Sequence, residues 1–110
     1  MLVLTVRHHI NPGQFDTAYK RIVGNTDAMA DIPGLLFRHT GMPPDSKAEI
    51  VTVTAWRSRA DRAVWDERRK ASPPPGDPKV LYAKVDTLEV EVADERWGSA
   101  AAAALTGSKR

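Results

Sequence analysis

The sequence predicts an α+β protein of the ferredoxin-like class, in which two helices cover one face of an antiparallel four-stranded sheet. The 110 residues are enough for one domain and too few for two independent cores. Strand and helix patterns follow one another in the order β-α-β-β-α-β, which is the split βαβ arrangement. Both faces of the predicted strands carry apolar side chains, although two helices can cover only one face. The uncovered apolar face predicts a homodimer.

Composition and charge exclude several classes of protein. The chain is 42% hydrophobic and 27% charged, which is typical of a globular domain. It has no cysteine, so a disulfide framework, thiolate metal sites and a cysteine nucleophile are excluded, and a cytoplasmic location is favoured. The apolar run over residues 2–6 is too short for a signal peptide or a membrane span, so we expect no membrane partner. The net charge of +2 indicates no strongly cationic surface.

The first half of the chain predicts a strand, a helix and a second strand. Residues 2–10 are rich in Val, Leu, Ile and Thr without a helical period, and a turn follows at residues 11–13. Residues Leu35 to about Thr40 form the second strand. The helix between the first and second strands begins at Gln14 and ends before residues 32–34. Its apolar face consists of Phe15, Ala18, Tyr19, Ile22 and Val23.

The second half predicts a strand, a helix and a last strand. Residues 41–47 form a loop, and Glu49 to Trp56 is a β-branched strand. Ser58, with Asp61 three residues later, resembles a capping box that starts a helix. Residues 72–78 contain four prolines and end it. We expect Ala60, Ala63 and Val64 on the core side of that helix, with Trp65 at its edge.

The last strand lies within residues 80–92, and Leu88 to Val92 alternate cleanly, which predicts one buried face. We therefore divide the chain into a domain over residues 1–97 and an alanine-rich tail over residues 98–110. The tail has too little apolar bulk to form a core of its own.

Three segments together resemble the antibiotic biosynthesis monooxygenase family, whose fold is the dimeric α+β barrel. They are Asn11-Pro12-Gly13-Gln14, Ile32-Pro33-Gly34-Leu35-Leu36 and Val53-Thr54-Ala55-Trp56-Arg57-Ser58, with Trp65 nine residues after Trp56. The resemblance covers about residues 1–92. It implies a homodimer with facing sheets and a pocket between helices and sheet. It also implies oxidation of anthrones or quinols by O₂ without a cofactor, or, in one branch, binding and degradation of haem.

Individual positions match this family unevenly. The junction tryptophan is present as Trp56, but Thr52 and Arg62 stand where anthrone-oxidising members have Asn and Tyr. Of the haem-degrading residues, Trp65 matches, Val6 stands at the Asn position, and no histidine follows His39. We therefore predict no cofactor, and no ordinary haem binding.

Strand alternation identifies the candidate site. His8 shares a face with Leu4, Val6 and Ile10, so it faces the helices and is a candidate general base. We expect Arg38 or His39, neighbours on the second strand, to reach the same pocket as His8 and to stabilise charge there. We also expect Thr52, Trp56 and Trp65 to line this pocket. A structural histidine and core tryptophans remain the alternative. We expect no metal site, because adjacent His8 and His9 point to opposite faces.

These observations predict a cofactor-independent monooxygenase that oxidises a small aromatic substrate with O₂. The alternatives are a polyketide-type cyclase or isomerase using the same base, or a non-catalytic dimer that binds a small molecule. We expect no nucleic-acid partner, because the first strand has no aromatic residue on which a base could stack. No glycine-rich nucleotide motif is present.

Overall fold

The structure, a computed structural model, describes residues 1–107, and these residues form the predicted α+β fold. The strands and helices lie in the predicted order, with two short helices in addition. Their bounds are β1 Leu2–Ile10, α1 Phe15–Met29, β2 Leu35–Gly41, β3 Glu49–Trp56, α2 Arg59–Ala71, α3 Pro78–Leu81, β4 Tyr82–Glu91 and α4 Ser99–Gly107.

The four strands form one antiparallel sheet in the order β2-β3-β1-β4. This order is that of the ferredoxin-like fold, so the predicted fold class is confirmed. In β1 the buried residues Leu2, Leu4 and Ile10 share one face of the sheet, as the alternation predicts. Both long helices pack on that face and leave the opposite face of the single chain uncovered.

Two apolar clusters join the helices to the sheet, one at each end of β1. One cluster contains Leu2, Leu4, Met29, Ile32, Trp56 and Trp65. The other contains Ile10, Ala18, Ile22, Ile50 and Leu81. A cavity lies between sheet and helices, along the middle of β1, where the strands carry smaller or polar side chains.

Helix α2 begins at the predicted cap. The Ser58 side chain accepts from the Asp61 backbone N–H at 3.2 Å, and its hydroxyl donates to Asp61 Oδ2 at 2.8 Å. The predicted core side of this helix is wrong: Ala60, Ala63 and Val64 are exposed, and Trp65 is the buried residue. The indole buries far more apolar area than an alanine, so the helix packs around it.

The predicted loop over residues 72–78 leads into α3, which was not predicted. Asp77 caps α3 by accepting from the Lys79 N–H at 2.9 Å, with Pro78 at the first helical position. The alanine-rich tail contains α4, and residues 108–110 of it lie outside the described residues. None of the helices within residues 1–107 is long and apolar enough to cross a membrane.

Candidate functional site

A cavity of about 290 Å³ lies between the sheet and the helices. This volume is at the lower end of the range for small-molecule sites, about 300–1,000 Å³. Strands β1, β2, β3 and β4, helices α1 and α2, and the proline-rich segment all contribute to its wall. Five of the six predicted site residues line it, namely His8, Arg38, Thr52, Trp56 and Trp65.

His39 does not line this cavity, so its predicted position beside His8 is wrong. The pairing of β2 with β3 shifts by one residue between Leu35 and Phe37. Leu35 packs on the helix-covered core, whereas Phe37 and His39 lie on the opposite face, with their rings 5.0 Å apart. Because such a shift reverses the alternation of side chains, Arg38 faces the helices and His39 faces away.

The hydrogen bond of His8 determines which nitrogen of its ring carries the proton. His8 Nδ1 lies 3.0 Å from the carbonyl oxygen of Ile50, its partner on β3. A carbonyl can only accept, so Nδ1 carries the proton and donates it. In the neutral imidazole Nε2 is then the free acceptor.

The surroundings of His8 favour the neutral ring. Burial lowers the pKa of His8 below its ordinary 6.5, the Ile50 hydrogen bond partly opposes this, and the positive charges of Arg38 and Arg21 lower it further. The ring also packs against Tyr82, with centroids 5.1 Å apart. Burial raises the pKa of Tyr82, so its phenol stays protonated near neutral pH. A neutral imidazole beside cations is suited to accept a proton from a substrate whose conjugate base is an anion.

Arg38 is held by two hydroxyl groups. Its Nε donates to Thr26 Oγ1 at 2.8 Å and its Nη1 to Thr54 Oγ1 at 3.1 Å. Burial lowers the pKa of Arg38, and the positive charge of Arg69 lowers it further. Neither hydroxyl carries a negative charge, and the ion pairs found within residues 1–107 do not include Arg38.

Sequence reasoning missed several residues of the cavity wall. They are Arg21, Asn25, Arg62, Asp66, Arg69 and Tyr82. The spacing of the missed residues in α2 was the available signal, because positions 62, 65, 66 and 69 fall on one helical face. From sequence alone, such alternating charges are typical of a solvated helix face. The structure places this face, with Trp65, over the sheet.

The wall also contains threonine hydroxyls close to the tryptophans. Thr52 and Thr54 are buried, at 1% and 4% exposure, beside Trp56 at 2%. Every buried side-chain nitrogen or oxygen of the described residues has a hydrogen-bond partner. Among these residues no group of three or more His, Asp or Glu could hold a metal ion. The cavity wall can therefore accept a proton at His8 and bind negative charge at Arg38, while Trp56 and Trp65 contribute apolar surface.

The described residues thus combine a ferredoxin-like α+β sheet with a cavity between that sheet and its helices. No protein-family profile matches the chain, and no curated protein matches its sequence. Solved structures do match its fold. A crystal structure described as an antibiotic biosynthesis monooxygenase has 13% sequence identity and a TM-score of 0.68, covering 86% of this chain and all of that one.

Two further structures share this fold. SnoaB from Streptomyces nogalater, described as a cofactor-independent oxygenase, has 12% identity and a TM-score of 0.65, with 86% of this chain and 94% of that chain covered. A variant of MhuD, described with two manganese protoporphyrin IX molecules per active site, has 21% identity and a TM-score of 0.68, with 89% and 100% covered. The predicted resemblance to antibiotic biosynthesis monooxygenases is thus confirmed at the level of the fold.

Proposed function

We propose that this protein is a cofactor-independent monooxygenase that oxidises a small anthrone-like or phenolic substrate with O₂. The observation that supports the proposal most is the state of His8: its Nδ1 proton is committed to the Ile50 carbonyl, which leaves Nε2 as a base in a cavity lined by cations. SnoaB, described as a cofactor-independent oxygenase, has the same fold at 12% identity.

The proposed reaction needs one proton acceptor and no redox group from the protein. His8 removes a proton from the activated carbon or phenol, and the resulting carbanion transfers an electron to O₂. The two radicals combine to a peroxide anion, which takes the proton back from His8, and the resulting hydroperoxide loses water. For a methylene group the balance is CH₂ + O₂ → C=O + H₂O, so one oxygen atom enters the ketone and the other becomes water. The protein contributes the base, excludes bulk water and stabilises the anion.

Each of the other wall residues has a part in this proposal. The indoles of Trp56 and Trp65, which are almost fully buried, form an apolar part of the wall and exclude water. Thr52 contributes to the wall from β3. The positive charge of Arg38 favours the deprotonated substrate over the neutral one, which lowers the cost of forming the carbanion.

We also propose that the active protein is a homodimer formed by the uncovered sheet face. The apolar residues of this face include Leu88 and Val90, which are 63% and 42% exposed in the single chain. Val90 lies opposite Val3, and Leu88 lies opposite Thr5. Charged side chains stand at one end of this face, where Glu49 pairs with Arg7 and His9, and His9 also contacts Asp86. An apolar centre with a polar rim is typical of a protein interface.

A matched pair of histidine variants tests the proposed base. His8→Gln should lower the turnover of anthrone by roughly 10²–10⁴-fold, the usual effect of losing a positioned base. His9→Gln is the control, because His9 lies on the opposite face and contacts Glu49 and Asp86. Since these residues belong to the charged end of the proposed interface, sedimentation first checks that both variants have the oligomeric state of the wild type. Turnover is measured as oxygen uptake together with ¹⁸O incorporation into the ketone. Equal loss in the two variants contradicts the role of His8.

The same assay separates the alternative functions. A cyclase or isomerase that uses His8 would convert its substrate without oxygen uptake. A non-catalytic binding protein would take up a flat aromatic ligand, detected by a thermal shift, without converting it. One O₂ consumed for each ketone formed, with one labelled atom in the product, supports the monooxygenase.

A further inference from the structure

We infer that the substrate of this cavity is an aromatic monocarboxylate, whose carboxylate binds Arg38 while its acidic proton lies at His8. This inference rests on the proposal that the cavity is the substrate site, but it does not depend on the oxygen chemistry. Three observations support it: the charge balance of the wall, the unused donors of Arg38, and the separation of Arg38 from His8.

The charge balance of the wall is positive. Among the described residues that line the cavity, four are arginines and one is a carboxylate, Asp66. Arg62 pairs with Asp66 at 3.5 Å and with Glu89 at 3.2 Å, and Arg69 lies 3.7 Å from Asp66. Arg21 donates to three backbone carbonyls of the proline-rich segment, those of Pro74, Pro75 and Gly76.

Arg38 differs from these arginines because its partners are the two threonine hydroxyls. Two of its five N–H donors are used there, so three remain for a ligand. A half-buried guanidinium without an acidic partner is costly, because burial removes part of its hydration. The planar fork of Arg38 matches the two oxygens of one carboxylate, which would supply the negative charge that its present partners lack.

The strand register separates Arg38 from His8. Arg38 lies on β2 opposite Thr54, which lies opposite Leu4 on β1. His8 is thus two strands away, about 10 Å across the sheet, and four residues along it, about 13 Å. These are distances between backbone positions; both side chains line the same cavity, where the charge of Arg38 acts on His8, and Trp56 and Trp65 are also in its wall. A ligand that reaches both groups carries its acidic proton and its carboxylate at different positions of its ring system.

A suitable probe is 6-hydroxy-2-naphthoate, which carries a phenol and a carboxylate at opposite ends of two fused rings. Its methyl ester has the same shape and no negative charge. Calorimetric titration of the full-length protein near pH 7.5 should show the acid binding roughly ten- to hundredfold more tightly than the ester, the usual effect of a hydrogen bond to a charged group. Arg38→Met should remove this difference, while Arg57→Met should keep it, because Arg57 pairs with Asp61 on the surface and does not line the cavity.

A second measurement separates a binding role from a structural one. In the ligand-free Arg38→Met variant, removal of a half-buried charge without an acidic partner offsets the loss of its hydrogen bonds to Thr26 and Thr54, so unfolding should occur within about 5 °C of the wild-type temperature. A large loss of thermal stability instead assigns Arg38 to the fold and overturns the inference. Equal binding of acid and ester to the wild-type protein overturns it too, and leaves the proposed function standing. Failure of both probes to bind at millimolar concentration overturns the placement of substrate in this cavity, and with it the proposed function.

Discussion

Replacing Leu88 by glutamate tests the proposed dimer most directly. Leu88 lies near the middle of β4 on the uncovered sheet face and is 63% exposed in the single chain, so an interface there would bury most of its side chain. Complete burial of a leucine contributes about 1.5–3 kcal/mol, so the remaining exposed part corresponds to about 1–2 kcal/mol. A two-fold symmetric interface contains this residue twice, which gives about 2–4 kcal/mol for the dimer.

The loss of apolar contact alone should therefore raise the dimer dissociation constant by about 30- to 700-fold. Two carboxylates buried against an apolar surface would add to this loss. Sedimentation equilibrium at micromolar concentration should show the wild-type protein as a dimer and Leu88→Glu as a monomer. Circular dichroism checks that the variant remains folded.

Val64→Glu is the matched control for this experiment. Val64 is 48% exposed on α2, a helix on the covered side of the sheet, and glutamate is a good helix former. We expect this variant to remain dimeric. A wild-type monomer of normal stability would refute the use of the sheet face as an interface, and so would a Leu88→Glu dimer as strong as the wild type.

Three further predictions concern pH, backbone packing and haem. The folded protein holds the pKa of His8 below 6.5, so the unfolded state binds more protons around that pH. The free energy of unfolding should therefore fall as pH drops below about 6.5 and level off once folded His8 is protonated. Urea titrations at several pH values measure this dependence, and the His8→Gln variant should lack it. Gly34→Ala should lower the free energy of unfolding by about 1–3 kcal/mol, because its new methyl group would overlap the Asp61 side chain. Gly24→Ala in α1, with open space around it, should instead raise it by about 0.5–1 kcal/mol. Equal effects of the two variants in urea denaturation would contradict this packing. Haem titration should give no sharp Soret band at one haem per chain, since Val6 occupies the strand position where haem-degrading relatives are expected to carry Asn.

The sequence determined the order and approximate bounds of the main elements. The change from strand to helical periodicity at Gln14 and the proline-rich residues 72–78 gave boundaries close to those observed, because local backbone preferences act within a few residues. The alternation of β1 also placed His8 on the covered face, because no irregularity interrupts that strand before His9.

Tertiary structure decided which other side chains join His8. A one-residue shift between Leu35 and Phe37 turned Arg38 inward and His39 outward, and this shift depends on pairing with β3. Likewise, the burial of Trp65 oriented α2 so that its arginines face the sheet and its alanines face outward. Periodicity shows that a helix has faces, but the face that is buried depends on the area and shape of the surface it meets. That surface exists only once the chain has folded, so the cationic wall of the cavity could not be derived from local sequence.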